Sequence, residues 1–313
     1  MEAVEMTAGA LYVAFSLALL AIYCPLILGL YRLSKSTPSF LIFLSNSLCD
    51  ASAFMQYGIF GLAILVKLDA SPVLNLVPTK LQYLAFATAL WTPLMWHYTA
   101  VAALRACAVL FPMKFKVWFS RSTCLKLCLA VWLTGLAIDT TTIGLFPSEA
   151  FWTWRSKRLG FAPVNNTAYT ASGLPAFWGL VNFAALLAPL LMYVAALVGV
   201  FVSPKCRHAL RESSAERRLV ASCLVNFAIN VLGAVYTGIF GMDTKWRVLA
   251  FNGVVMFCSA TNGLLLLSLS GKLRREFWKV VSKKGEVPQP NQHQAANRFV
   301  VASKPNRVAV APK

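Results

Sequence analysis

The sequence predicts an all-α integral membrane fold, a bundle of seven transmembrane helices followed by a short amphipathic eighth helix. Three observations predict it. The chain is 58% hydrophobic and only 13% charged, with a mean hydropathy of +0.64, whereas soluble domains are about 45–50% apolar and roughly 25% charged. So little polar surface cannot coat a globule in water. The apolar residues are also gathered into runs long enough to cross a bilayer, which takes ~20 residues. Finally, a basic segment with helical periodicity follows the last run.

The runs fall at 10–31, 40–65, 81–110, 123–146, 174–202, 218–240 and 246–269. Each reaches across ~30 Å of hydrocarbon as a tilted helix. Apolar residues are continuous rather than alternating, which excludes a lipid-facing β-barrel. Residues 1–9 form a short extracellular N-terminus, 10–271 the bundle, 272–284 the amphipathic helix and 285–313 a disordered cytoplasmic tail. In the amphipathic helix Leu273, Phe277, Val280 and Val281 share one face and basic residues take the other. That pattern suits an anionic inner leaflet. Beyond Gly285 the chain turns to Pro, Gln and Asn, a composition that cannot bury a core.

Orientation follows from the basic residues. With the N-terminus outside, inner segments carry Arg32, Lys35, Lys114, Lys116, Arg121, Lys126, a group from Lys205 to Arg218, and the basic tail. Outer segments hold only Lys67, Lys80, Arg155, Lys157, Arg158, Lys245 and Arg247. The positive-inside rule therefore places the C-terminus in the cytosol, and the plasma membrane is the expected location. The net charge of +18 borders inner helix ends, so it reads as attraction to anionic lipid, not to nucleic acid. The sequon at Asn165 falls in the second outer loop, where glycosylation occurs. No cysteine lies in an outer segment, so no extracellular disulfide framework is expected.

Polar residues inside the spans are the candidate functional groups. Asp50 lies near mid-membrane in the second span, where a carboxylate costs roughly 2.5–3.5 kcal/mol and must face the bundle interior. Asn262 in the seventh span and Ser45 or Asn46 in the second are its candidate partners. They form either a packing knot or a hydrated switch, with or without a bound cation. Arg105 ends the third span and stands seven residues before Pro112; it is either a snorkelling interfacial group or part of a motif. Ala87, Thr88, Trp91, Thr92 and Met95 share a face of the third span. With Tyr236 and Phe251 they are candidates to line a ligand pocket, or else plain aromatic core.

The run Leu104-Arg105-Ala106-Cys107-Ala108-Val109-Leu110-Phe111-Pro112, together with Asn46-Ser47-Leu48-Cys49-Asp50, Trp132, Pro189 and Asn262-Gly263, resembles the landmarks of rhodopsin-like G-protein-coupled receptors. The continuation to Phe119-Ser120, and the end from Asn262-Gly263 to Arg275, are most similar to the nematode serpentine chemoreceptors of class X or a sister class. The resemblance covers about residues 8–284. It implies a receptor, not an enzyme, that binds a small-molecule or peptide ligand outside and activates a heterotrimeric G protein inside. It also implies coupling roles for Arg105 and Pro112, a switch formed by Asp50 and Asn262, no organic cofactor, and a sodium ion beside Asp50.

Several positions depart from that pattern. Leu104 and Ala106 flank Arg105 where the family has acidic and Tyr residues, and Gly263 and Leu266 stand where the seventh helix has Pro and Tyr. The sixth span lacks Cys-Trp-x-Pro, and Lys80 takes the place of the outer cysteine. Other seven-span activities are less consistent with the residues. No lysine lies in 248–271 to carry retinal, and His97, His208 and His293 are too dispersed to hold iron. A transporter or ligand-gated channel is the alternative, although no internal repeat supports it.

Overall fold

The computed structural model describes residues 3–66, 91–155, 159–204, 214–240 and 244–282. Ala87, Thr88, the first part of the third run and the tail 285–313 lie outside the described residues.

Ten α-helices, a short 3-10 turn at Ser148–Ala150 and one two-stranded hairpin are the elements of the described residues. The first helices are α1 (Ala3–Ser36), α2 (Phe40–Leu65), α3 (Trp91–Leu110), α4 (Pro112–Trp118) and α5 (Arg121–Leu145). The hairpin β1 (Trp152–Arg155) and β2 (Gly160–Pro163) follows, then α6 (Asn166–Ala171), α7 (Leu174–Val202), α8 (Ser214–Phe240), α9 (Lys245–Leu269) and α10 (Gly271–Val281). The helices match the apolar runs closely, with shifts where α8 begins at Ser214, ahead of the run at 218, and where α1 runs beyond both ends of its run. At the N-terminus α1 begins at Ala3, upstream of the run at residue 10, because nothing between Ala3 and Gly9 breaks a helix.

Helix boundaries follow local chemistry. The Ser120 hydroxyl accepts the Thr123 N–H and starts α5, and Thr244 accepts the Arg247 N–H and starts α9. Pro112 opens α4 at a position where its missing N–H costs nothing. Ser270 ends α9 and also caps α10 by accepting the Leu273 N–H at 3.4 Å, so the chain turns there onto a new axis. The segment between α5 and α6 holds the antiparallel hairpin, with Trp152 opposite Pro163 and Arg155 opposite Gly160. This small sheet is absent from the all-α expectation.

Helices α1, α2, α5, α7 and α9 are long and apolar enough to cross a membrane. Their outward faces carry Phe15, Leu17, Leu180, Phe183, Leu191 and Phe257, all more than half exposed. Apolar surface on that scale is far larger than the scattered patches a soluble monomer tolerates. The chain is a multi-pass membrane protein. Within it α1 and α2 meet through paired glycines: a Cβ on Gly61 would lie 2.7 Å from the Gly9 carbonyl, and one on Gly9 3.0 Å from the Gly61 carbonyl. Small residues at such contacts let helix backbones approach closely.

The two ends of the bundle are distinct. At one end Glu5 of α1 pairs with Lys245 of α9 at 3.0 Å, beside the hairpin. At the other, α10 folds back on α1 with Leu273 and Phe277 buried, and Leu273 Cδ1 lies 3.4 Å from where a Gly29 side chain would begin. Arg274, Arg275 and Lys279 face away from that contact and are exposed.

Candidate functional site

Asp50 is fully buried in the middle of α2 and draws neighbours from three helices. Asn262 of α9 aims its Nδ2 at both carboxylate oxygens, at 3.4 and 3.5 Å. Asn46, one turn earlier on α2, donates to Oδ2 at 3.4 Å, and the Tyr23 hydroxyl of α1 stands 3.4 Å from the same oxygen. All four distances are longer than the usual ~2.9–3.0 Å. The carboxyl group is surrounded without being tightly gripped.

The network continues beyond Asp50. Asn262 Nδ2 also donates to the Tyr98 hydroxyl of α3 at 3.1 Å, and its Oδ1 accepts from the Asn226 amide of α8. Asn226 Oδ1 accepts from Thr261 at 2.8 Å. One polar chain thus ties α1, α2, α3, α8 and α9 together. A cavity of ≈ 30 Å³ borders it, lined by Asn46, Tyr98, Asn226, Asn230 and Asn262 on the polar side and by Phe43, Tyr193 and Leu266 on the apolar side. That is room for about two water molecules, and the lining supplies the several polar partners each one needs.

Tyr23 makes an unusual contact with α9. Its hydroxyl donates to the Ser259 carbonyl at 2.8 Å and accepts the Gly263 N–H at 3.0 Å, bridging two backbone groups one turn apart. A side chain at 263 would meet the ring, since a Cβ there would lie 2.7 Å from Tyr23 Cζ and 2.6 Å from Leu26 Cδ2. Glycine at this position is what allows the aromatic ring to reach the helix backbone.

Arg105 differs from its expected setting. The sequence reading puts its guanidinium in reach of water at the inner end of α3, but the residue is only 3% exposed. Its guanidinium lies over the Phe43 ring, 4.8 Å from the centroid, and such a cation–aromatic contact strengthens when desolvated. Phe43 also walls the cavity, so one ring separates Arg105 from the polar network. Pro112 stands at the first position of α4, just past the end of α3.

The remaining expected residues disperse. Ser45 does not join Asp50; it bonds with His97 Nε2 at 2.8 Å and accepts the Trp132 indole N–H at 3.0 Å. The Thr92 hydroxyl donates to Asp139 of α5 at 2.9 Å. Met95 packs with Cys49, Leu94, Tyr98 and Ala185. Trp91 and Tyr236 lie on α3 and α8, but their side chains are outside the described residues. Phe251 is half-buried on α9. Thr92, Met95 and Phe251 do not line the cavity that borders Asn46, Tyr98 and Asn262. Asn165 is exposed and caps α6, its Oδ1 accepting the N–H groups of Thr167 and Ala168 at 3.0 and 3.2 Å.

Sequence reasoning missed Tyr23, Tyr98, Asn226, His97 and Asp139. Asp139 was visible as a second carboxylate within an apolar run, and Asn226 and Asn230 as a polar pair one turn apart. Nothing in the sequence pairs Tyr23 with Gly263. The hairpin adds Leu159, fully buried with φ +59°, a backbone region that costs a non-glycine residue roughly 1–2 kcal/mol. No protein-family model matches this chain, and no curated protein matches it in sequence.

Proposed function

We propose that the chain is a seven-helix chemosensory receptor that binds a small ligand at its outer face and activates a heterotrimeric G protein at its inner face. The observation that carries this reading is the network of Tyr23, Asp50, Tyr98, Asn226 and Asn262, which spans five helices beside a water-sized cavity. A packing knot would be expected to close tightly around its charge. Here the carboxyl contacts are 3.4–3.5 Å and a cavity lies against its partners Asn46 and Asn262, so the helices can exchange one set of polar contacts for another at low cost. Interfaces with two discrete arrangements are how a small shift at one end becomes a rearrangement at the other.

In this reading α3 and α8 are two further membrane spans, giving seven. The N-terminus and the hairpin face outside the plasma membrane, and α10 lies on the anionic inner leaflet. Ligand binding shifts α9, and Asn262 trades its contacts with Asp50 and Tyr98. The change reaches Arg105 through Phe43 and opens the inner surface around Arg105 and Pro112 to the G protein. The residues present also fit the sodium ion that the resemblance implies. The Asp50 carboxylate and Asn46 Oδ1, a buried oxygen without a hydrogen-bond partner among the described residues, are the hard oxygen donors such an ion requires. When bound, the ion would balance the buried charge.

The direct test is guanine nucleotide exchange on a panel of heterotrimeric G proteins, using membranes that contain the full chain. Exchange above that of empty membranes, raised further by a ligand from a chemical panel, is the expected result. Absence of exchange with every G protein, combined with ligand-dependent flux or current in sealed vesicles, would replace the receptor reading with a transporter or channel.

A further inference from the structure

The outer hairpin places its own Leu159 inside the bundle. Leu159 is fully buried although it belongs to a loop, and it takes a left-handed φ of +59° to get there. Its side chain packs among Ala8 and Tyr12 of α1, Phe60 and Ile64 of α2 and Met256 of α9. Its backbone carbonyl is held as well, accepting from the Tyr12 hydroxyl at 3.2 Å and from Asn252 Nδ2 at 3.3 Å. The second Asn252 hydrogen goes to the Tyr12 oxygen at 2.9 Å. Both lone pairs of the carbonyl and all three donor hydrogens are therefore used.

Among the described residues this is an apolar cage with two aimed donors at one end and no charged side chain in its wall. Such a site selects a neutral acceptor beside an aliphatic group, and it rejects a carboxylate or an amine, whose desolvation nothing there offsets. The present occupant enters only through a conformation that L-residues avoid. A free molecule of the same chemistry would gain the same contacts without that strain. The cage is also built from α1 and α9, which carry Tyr23 and Gly263 further along.

We propose that this cage is a ligand site for a small neutral aliphatic carbonyl compound, filled in this structure by Leu159, which an entering ligand replaces. The inference names the ligand class for the receptor proposed above and rests on that reading only for its signalling consequence. Binding itself needs no G protein.

The test uses the full chain purified in detergent. The probe is N-acetyl-leucine amide, which reproduces the isobutyl group and carbonyl of residue 159, and N-acetyl-glycine amide is the control. Leu159→Gly removes the occupant while supplying the residue that adopts a positive φ freely. The leucine probe should raise the melting temperature of Leu159→Gly saturably, by about 2–4 °C at saturating probe. It should shift wild type less, and shift Leu159→Gly/Asn252→Ala not at all. Equal shifts in wild type and Leu159→Gly, no shift in Leu159→Gly, or an equal effect of the glycine control would overturn the proposal. If Leu159→Gly does not fold, Leu159→Cys answers the same question in intact membranes. The leucine probe should accelerate labelling of the introduced thiol by an impermeant maleimide, relative to wild type, and an unchanged rate would overturn the site. Binding with no nucleotide exchange would leave the site and remove the receptor reading; exchange with no binding would do the reverse.

Discussion

The Tyr23 hydroxyl accepts the backbone N–H of Gly263 at 3.0 Å, across a contact that leaves no room for a side chain on position 263. The same oxygen donates to the Ser259 carbonyl at 2.8 Å and stands 3.4 Å from Asp50. One phenol thus touches both the backbone of α9 and the buried carboxyl of α2.

This contact makes Gly263→Ala destabilising. The added methyl would sit 2.7 Å from Tyr23 Cζ, and overpacking of this kind costs about 1–3 kcal/mol. Tyr23→Phe should cost a comparable amount, roughly 1–3 kcal/mol, by leaving buried polar groups without their partner. The double variant Tyr23→Ala/Gly263→Ala should recover part of the loss, since the smaller residue makes space for the methyl. Thermal unfolding in detergent reads all three. A Gly263→Ala protein as stable as wild type would mean that α9 slides freely past Tyr23.

Arg105 calls for a conservative test, because it is buried. Arg105→Ala would remove packing as well as charge, so loss of function there would be ambiguous. Arg105→Lys keeps the charge but lacks the flat guanidinium that lies on Phe43, and the two cations are not interchangeable at stacked positions. Surface expression should stay near wild type while ligand-stimulated exchange falls, on the order of 5- to 150-fold if a coupling free energy of the usual size is lost. Equal loss of expression and exchange would mark Arg105 as a packing residue.

Asn165 tests the orientation. Its side-chain oxygen caps α6 while the residue remains exposed, so the amide nitrogen is free to carry a glycan if the hairpin end faces outside. Protein from secretory-competent cells should shift on a gel after glycosidase treatment, and Asn165→Gln should abolish the shift. Loss of the cap should also cost about 0.5–2 kcal/mol. A tag at the C-terminus accessible to antibody on intact cells would reverse the orientation.

The helices were legible because lipid imposes a length and a composition, and both are written in the residues. The run at 174–202 became α7 at the same bounds, and Asp50 with Asn262 was legible because polar groups inside apolar runs must find each other. What the sequence hid is contact between residues without a shared pattern. Tyr23 looks like one more aromatic on an apolar helix, and its role depends on a glycine more than two hundred residues away. Arg105 looked interfacial because it ends an apolar run, but Phe43 from another helix covers it. Leu159 carries no signal at all, since a lone leucine in a loop is ordinary until a hairpin drives it into the bundle.

Asp50 and Asn262 give the sharpest test of the switch. Asp50→Asn keeps shape and hydrogen-bonding capacity but removes the charge. If the carboxyl only holds helices together, the change should be nearly neutral, because an amide can still meet Asn46, Tyr23 and Asn262. If the charge sets the balance between two arrangements, basal and stimulated exchange should shift relative to each other while surface expression is retained. Asn262→Ala removes the group that links Asp50 to Tyr98 and Asn226, so it should change the same balance. The decisive quantity is the coupling between the two substitutions, since residues in one network typically show about 0.5–3 kcal/mol of non-additivity. Nucleotide exchange with and without ligand, measured for wild type, both single variants and the double variant, gives that number. Sodium titration of the same four proteins adds a second readout: thermal stabilisation by sodium should be present in wild type and lost in Asp50→Asn, where the anionic oxygens are gone. Strict additivity in exchange would separate Asp50 from Asn262 energetically, and the switch would then have to be sought elsewhere in the bundle.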